Sequence, residues 1–360
     1  MSIPIQQARK LFTTATMQKY KEVVPSSSFL KSFFDVKTYV TKSLSIEVQR
    51  GSEYIAVDVE RSSEGNRNTM GKFTEKQYIP PFYKEVFDAT SLDRYDIAFG
   101  QPENIAPTTV GYLASDVAEK ISMLREKIER AKELQCAQVF ETGIVTMYNG
   151  DNIDYKRKAT SLVDLGGAGG YWSVAGTDID AQISAGGDFI RTYGKNSVKE
   201  MNLVMSGSEF AALKLTDWWT DTVNWRRASL MDIKMPQADA NGGVYHGEVS
   251  AGSYRVHLWT YDEIYNAASG GAITRYMPEN KAFLTPVKGT RFDLAHAGVP
   301  AIMTDKKNAE FPRYIAQVSG EYYLNNYIDE KRTAHDFELY SAPLAIPVSV
   351  DMIYTMQALA

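Results

Sequence analysis

Residues 113–141 read LASDVAEKISMLREKIERAKELQCAQVFE, and the arrangement of the rest of the chain follows from how this stretch folds. Its apolar side chains Leu113, Val117, Ile121, Leu124, Ile128, Ala131, Leu134 and Val139 recur mostly three and four residues apart, the spacing of one buried helix face. Glu119, Lys120, Arg125, Glu126, Lys127, Glu129, Arg130, Lys132 and Glu133 fill the other positions and predict a solvated opposite face. Thr108 or Thr109 is placed to cap the start, and Gly143 to turn left-handed just past the end. At 1.5 Å per residue the helix is about 43 Å long, more than twice the average globular helix. Such an element is a spine on which other segments pack.

The chain has 360 residues, 44% of them apolar, enough for a real core, and its length predicts two domains or one with large excursions. A formal charge of −5 argues against a protein whose main task is gripping nucleic acid, which needs clustered Lys and Arg. The charge is uneven: residues 1–42 hold seven basic side chains against Glu22 and Asp35, a net +5, leaving −10 for the other 318 residues. Cys136 is the single cysteine, so no intrachain disulfide framework and no thiolate metal cluster is expected. No apolar secretory stretch opens the chain and no run approaches 18 apolar residues, so a soluble protein away from the membrane is expected.

Outward from the spine, residues 1–42 mix Leu11, Phe12, Phe29, Leu30, Phe33 and Phe34 with lysines and read as an arm whose Phe pairs need another surface. From Ser43 the pattern alternates: Leu44, Ile46 and Val48, a turn at Gly51, then Ile55, Val57 and Val59, predicting a two-stranded ribbon. Phe73 to Tyr83 returns with two prolines that forbid a central strand. An isolated ribbon is marginal in water, so this excursion is expected to rest on a neighbour. Beyond the spine, Asn149-Gly150 between residues 144–148 and 154–158 signals a hairpin, and the glycines of 166–170 a mobile linker. A helix over 178–193, a strand over 201–205, and a capping box Ser206-x-x-Glu209 opening a helix to about Trp219 follow. Strands are expected at 254–260 and 282–285, and a strand-like apolar close at 336–360. Helices and strands mix without regular alternation, so the fold class is α+β.

No catalytic constellation emerges. The 166–170 glycines lack the Gly-Lys-Ser/Thr ending of a phosphate loop. His246, His257, His296 and His335 show neither an i,i+4 pair nor nearby cysteines, and Ser206-Gly207-Ser208 is not a nucleophile elbow. The carboxylates Asp88, Asp93, Asp96 and Glu103 flank Arg94 as a solvated or ion-paired face. The aromatics of 217–227 read as a packed helix end rather than a stacking platform for bases or sugars. No cofactor, metal or enzymatic role is expected.

Several stretches, in order and over more than 250 residues, resemble one family. They are Phe73-Thr74 with Tyr78-Ile79-x-Pro81, the spine with its Gln138 to Glu141 end, Tyr148-x-Gly150, Tyr276-Met277-Pro278-Glu279-Asn280, Asp336-Phe337-x-x-x-Ser341-Ala342-Pro343-Leu344 and the final Gln357-Ala358-Leu359-Ala360. Together they resemble the major capsid proteins of lambda-like tailed bacteriophages, the capsid protein E family. The resemblance implies the Hong Kong 97-type fold: an N-terminal arm (1–42), an extended loop (43–90), a peripheral domain (91–194) containing the spine, an axial domain (195–335) and closing strands of the peripheral domain (336–360). It implies a shell protein that assembles with itself into pentamers and hexamers in the host cytoplasm, encloses double-stranded DNA through weak non-specific contact, and ends in the virion. Portal and decoration proteins are implied as partners, and a separate scaffolding protein is expected because no long charged helix precedes the arm.

Leu44, Ile46, Val48, Ile55, Val57, Val59, Phe73 and Tyr78 are the expected assembly contact, since the ribbon has more alternating apolar surface than it can cover itself. Two other readings share these residues. One is an encapsulin-like bacterial compartment, against which the resemblance to the lambda group argues; the other is a cytosolic α+β enzyme with a site assembled by tertiary structure.

Overall fold

The computed structural model describes residues 28–49, 73–90, 109–147, 150–167, 170–197, 199–226, 237–267, 271–304, 313–329 and 334–360. The spine is helix α1, Thr109–Glu141, 33 residues. Gly143 ends it with φ 75°, its N–H bonding the Gln138 carbonyl at 3.1 Å. Midway, Leu124 and Ile128 pack on Leu339 with Tyr83, Phe87 and Tyr322. The strands beneath them form a three-stranded antiparallel sheet in the order Tyr323–Asp329, Ala334–Ser341, Tyr83–Thr90. Towards its end α1 enters the main core through Cys136, Ala137, Val139 and Phe140, where Phe140 stacks on Phe283 at 4.3 Å.

The expected wet face is wet only in part. Glu119, Arg125 and Lys127 are exposed, but Lys132 and Glu133 are buried. The cause is the segment before the ribbon, which folds onto that face. Glu133 Oε1 accepts the Leu30 N–H and the Tyr261 hydroxyl, both at 2.8 Å, and Oε2 accepts the Lys31 N–H at 3.0 Å. The carboxylate therefore caps the 3₁₀ turn Leu30–Phe33 as an N-cap side chain would. Lys132 Nζ donates to the Tyr322 hydroxyl at 2.8 Å and to Glu129 Oε1 at 3.1 Å. Phe29 lies against Trp259 and Tyr261 at 5.2 and 5.4 Å, and Phe34 against Phe140 at 5.5 Å. The surface these phenylalanines needed belongs to the same subunit.

The second core lies between helices and a seven-stranded mixed sheet, ordered Leu162–Asp164, Tyr354–Gln357, Lys281–Pro286, Glu200–Met205, Tyr254–Thr260, Val244–Ala251, Gln237–Ala238. Helix α2, Ile179–Tyr193, starts where the Asp178 side chain accepts from Ala181 N. The predicted capping box opens α3, Gly207–Lys214: Ser206 Oγ accepts Glu209 N, and Glu209 Oε2 accepts Ser206 N at 2.7 Å. The single helix expected as far as Trp219 is two. Thr216 Oγ1 takes the Trp219 N–H at 3.3 Å and so caps α4, Asp217–Arg226. The glycine-rich stretch is no mobile linker at its described ends. Leu165 and Trp172 are buried, Gly170 N bonds Leu165 O at 2.9 Å, and Gln182 bridges Trp172 Nε1 and Gly170 O. The hairpin after the spine pairs Ile144–Thr146 with Asn152–Asp154, not with 154–158. Its turn closes through Gly150, φ 85°, whose N–H bonds Met147 O at 3.0 Å, so the return strand starts earlier.

Helix α2 approaches its sheet through Gly186 and Gly187. A Cβ on Gly187 would sit 2.5 Å from the Tyr254 ring, which cannot swing aside without losing the 2.7 Å hydrogen bond from its hydroxyl to Asp188. Gly187→Val is therefore expected to destabilise the subunit by about 2–3 kcal/mol, despite better helix propensity. A urea midpoint at or above that of the wild type would show that the sheet yields.

Candidate assembly surface

The chain passes from Asp35–Thr38, which pairs parallel with Phe292–His296, into Leu44–Gln49. That strand pairs antiparallel with Phe73–Tyr78, from Leu44 opposite Tyr78 to Gln49 opposite Phe73. The ribbon predicted between 44–48 and 55–59 thus has 73–78 as its described second strand; Ile55, Val57 and Val59 lie outside the described residues. Pro80 and Pro81 fall just past the strand, where they remove no ladder hydrogen bond. Opposed residues of an antiparallel pair share a face and alternate along it. The register therefore puts the positions of Leu44, Ile46, Val48 and Tyr78 on one face and that of Phe73 on the other.

The base of the ribbon is fixed inside the subunit. Leu44 is buried in the main core, and the Tyr78 ring lies 5.4 Å from Tyr155, whose hydroxyl donates to Ala345 O at 2.6 Å. Burial, helped by Asp154, raises the Tyr78 hydroxyl pKa. Just beyond, a strip of apolar surface stays open: Ile79 is 60% exposed, Phe82 49% and Val86 42%. Phe82 stacks on Tyr340 at 5.6 Å and Tyr340 on Tyr323 at 6.2 Å, an aromatic row crossing the three-stranded sheet on the side away from α1. Lys84 Nζ sits 2.7 Å from Glu338 and 5.5 Å from the Tyr340 ring centre. Burial pushes the Glu338 carboxyl up, but hydrogen bonds from Lys84 and Tyr340 prevail and hold it below the ordinary range, so the strip is edged by an ionised pair. Sequence reading missed Ile79, Phe82 and Val86 because the prolines between them break any period; an apolar residue on either side of Pro-Pro was the available signal.

His246, His257, Trp218 and Trp219 make structural contacts. His246 Nε2 lies 2.9 Å from Thr260 Oγ1 and His257 Nδ1 3.2 Å from Tyr245 OH. Trp218 Nε1 reaches Asp180 at 3.4 Å and Trp219 meets Phe210 edge-on at 5.7 Å, the packed helix end expected there. Among the described residues no three His, Cys, Asp or Glu are gathered to hold a metal ion.

A model of the family described as phage major capsid protein E matches residues 13–358. The putative capsid protein of a prophage of Escherichia coli CFT073 shares the fold with TM-score 0.57 and 15% identity over 100% of each chain. A phage-related protein of Bordetella bronchiseptica aligns at TM-score 0.49 and 14% identity, over 97% of this chain and 96% of that one. The encapsulin complex of Synechococcus elongatus aligns at TM-score 0.47 and 10% identity, over 100% and 96%. No curated protein matches the chain. The expectation from the sequence is an α+β chain with, by resemblance, a Hong Kong 97-type fold; the structure is a mixed α/β fold that matches phage capsid structures of that type.

Proposed function

Because the chain belongs to the phage major capsid protein E family, we propose that its copies close into rings of five and of six that build an icosahedral shell around packaged phage DNA. The family match over nearly the whole chain carries this reading. One subunit in two ring sizes needs the same heterologous contact to close at two rotations, which a compact body with an extended ribbon accommodates. The ribbon face bearing the positions of Ile46 and Val48, continued by Ile79, Phe82 and Val86, is the surface offered to the neighbour, while Leu44 on the same face anchors the ribbon in its own subunit. Many modest contacts of this kind act together through effective concentration. In domain terms, 1–42 supplies an arm, 43–90 the extended loop, 91–194 with 336–360 the peripheral part and 195–335 the axial part. Scaffolding, portal and decoration proteins are partners on separate chains.

Negative-stain electron microscopy of the purified chain, with and without a co-expressed scaffolding candidate, tests the assembly. Shells tens of nanometres across with five- and sixfold clusters are expected; a 40 kDa species under every condition would overturn it. Val57→Asp places an unpaired charge on the lapped ribbon and is expected to leave a soluble folded subunit that forms no shells. Normal particles from that variant would remove the ribbon from the contact.

A further inference from the structure

We propose that a basic patch beside the end of α2, centred on Lys195, Lys199 and Lys288 and edged by Lys158, Arg191 and Arg291, docks the phosphates of duplex DNA. This rests on the proposal that the shell encloses DNA, and it gives that contact a place on the folded body. Phosphate binding needs Lys and Arg gathered on one surface, whatever the charge of the whole chain. Here they gather although residues 43–360 sum to −10. Five of the six are exposed and Lys158 is half-buried.

The fold itself brings the lysines together. Lys281–Pro286 runs antiparallel to Glu200–Met205 with Pro286 opposite Met201, and Val287 N bonds Glu200 O at 3.0 Å. The next step of that register sets Lys288 opposite Lys199. Like charges facing each other across a ladder are destabilising, and neither ammonium has an ion-pair or hydrogen-bond partner among the described residues. Asn196 Nδ2 donates to Lys288 O at 2.9 Å and so holds its neighbour Lys195 at the same place. Lys195 has φ 57°, a left-handed conformation that disfavours every residue with a Cβ. A lysine kept there in place of glycine fits a role for its charge. Around this centre, a Cβ on Gly194 would stand 2.9 Å from Asp351 O, and Lys158 Nζ lies 3.7 Å from the centre of the Tyr193 ring. Arg291 is fixed by Ser349 through two hydrogen bonds, Ser349 N to Arg291 O at 3.1 Å and Arg291 N to Ser349 Oγ at 3.2 Å. The carboxylates here are few. Asp351 pairs with Lys158 at 3.9 Å, Asp293 with Lys37 at 2.7 Å and Arg291 at 3.6 Å, and Asp188 accepts the Tyr254 hydroxyl at 2.7 Å. With Lys37, seven basic side chains against these three leave +4. Glu200, the next acid, pairs with Arg255 at 3.5 Å.

Fluorescence anisotropy of a labelled duplex of about 30 base pairs, titrated with the unassembled full chain from about 20 to about 200 mM salt, tests the patch. Lys199→Ser with Lys288→Ser is expected to weaken binding about tenfold at the low-salt end and to flatten the slope of log affinity against log salt by about 2. Lys127→Ser with Lys214→Ser removes the same charge from exposed positions on the spine and α3, and should weaken binding less than about twofold. The urea midpoint of the patch variant should be no lower than that of the wild type, since two facing like charges are gone. Equal losses in the two variants, or a lowered midpoint in the first, would overturn the proposal. So would poly-glutamate displacing the duplex at lower concentration than unlabelled DNA, which would assign the patch to an acidic protein segment. Shells in the electron microscope together with equal losses would remove the DNA contact and leave the shell standing. Binding that depends on Lys199 and Lys288 without shells would support the patch and overturn the shell.

Discussion

Arg157→Met is expected to lower the stability of the subunit by about 3–5 kcal/mol, read as a fall in the urea midpoint at unchanged slope. The Arg157 guanidinium is buried where three distant parts of the chain meet. It donates through Nη1 to Phe140 O at 2.9 Å on the last turn of α1, and through Nη2 to Ser161 O at 3.2 Å, Ile353 O at 3.1 Å and Thr355 Oγ1 at 3.0 Å. Its side chain crosses over Gly143, where a Cβ would stand 2.3 Å from Arg157 Cδ. Burial lowers its pKa to about 10, with Asp351 pulling the other way, so it is a cation at neutral pH and sits at the negative end of the helix dipole. Methionine fills much of the same volume but leaves these acceptors short of donors, each costing about 1–3 kcal/mol when buried. Arg157→Lys is expected to recover only part of the loss, because one ammonium cannot span acceptors that a planar fork reaches. A loss below about 1 kcal/mol for Arg157→Met would mean that water replaces the guanidinium and that the junction is held by packing alone.

The parts of the fold legible in the sequence were those written in local spacing. The spine showed in its three- and four-residue period, α3 in Ser206 and Glu209, the spine's end in Gly143, and the 254–260 strand in its alternation. What the sequence hid depended on residues far along the chain. Lys132 and Glu133 look like solvated helix positions, and only the docking of Leu30 and Lys31, about a hundred residues earlier, buries them. The strand at 44–49 was legible but its described partner was not, because alternation names a strand without naming its neighbour, and 73–78, whose Phe73 and Tyr78 fall on opposite faces, shows no alternation while 55–59 does. Arg157 carried no signal: a basic residue after a hairpin gives no hint that three carbonyls converge on it. For the assembly surface, alternation singled out Leu44, Ile46 and Val48, yet Leu44 anchors the ribbon inside its own subunit while Ile79, Phe82 and Val86 stay open.

Between pH 6.5 and pH 4 the wild type is expected to lose about 3 kcal/mol of stability relative to His296→Leu, because only the wild type must give up a buried neutral imidazole. His296 ends the strand Phe292–His296, between Asp35–Thr38 and Pro343–Pro347, and is fully buried, with no side-chain hydrogen-bond partner at either ring nitrogen and only the Lys37 backbone approaching the ring. The groups facing it are Lys132 and Glu129 of the spine, Glu321 of the loop before Tyr323, and the backbone of Lys37; Pro343–Pro347 brings no titratable side chain. Burial first, then the Lys132 ammonium, lowers its pKa from 6.5 to about 4, while Glu321 and Glu129 pull it back. The folded state therefore binds fewer protons than the unfolded chain throughout that window. The stability due to neutral His296 is complete above pH 6.5 and drains away as pH falls to about 4. A second leg follows lower down. Burial raises the Glu129 pKa, but the hydrogen bonds from Lys31 and Tyr322 and the charge of Lys132 outweigh it and bring it to about 2, so that carboxylate's contribution is lost between pH 4.5 and 2. His296→Leu removes the first leg and keeps the second: buried Glu209, its carboxyl raised to about 8 by burial, stabilises both proteins as pH falls to about 4.5, so the variant's urea midpoint should rise relative to the wild type's down to about pH 4 and the two should then fall together. Because Tyr39 N bonds His296 O at 2.8 Å and Gly298 N bonds Thr41 O at 3.0 Å, the wild-type loss should begin where the chain leaves the core for the ribbon. Limited proteolysis near pH 5 should therefore cut first between Tyr39 and Ser43. Parallel slopes for the two proteins between pH 6.5 and 4 would show that another group titrates, and the buried imidazole would then be a packing residue only.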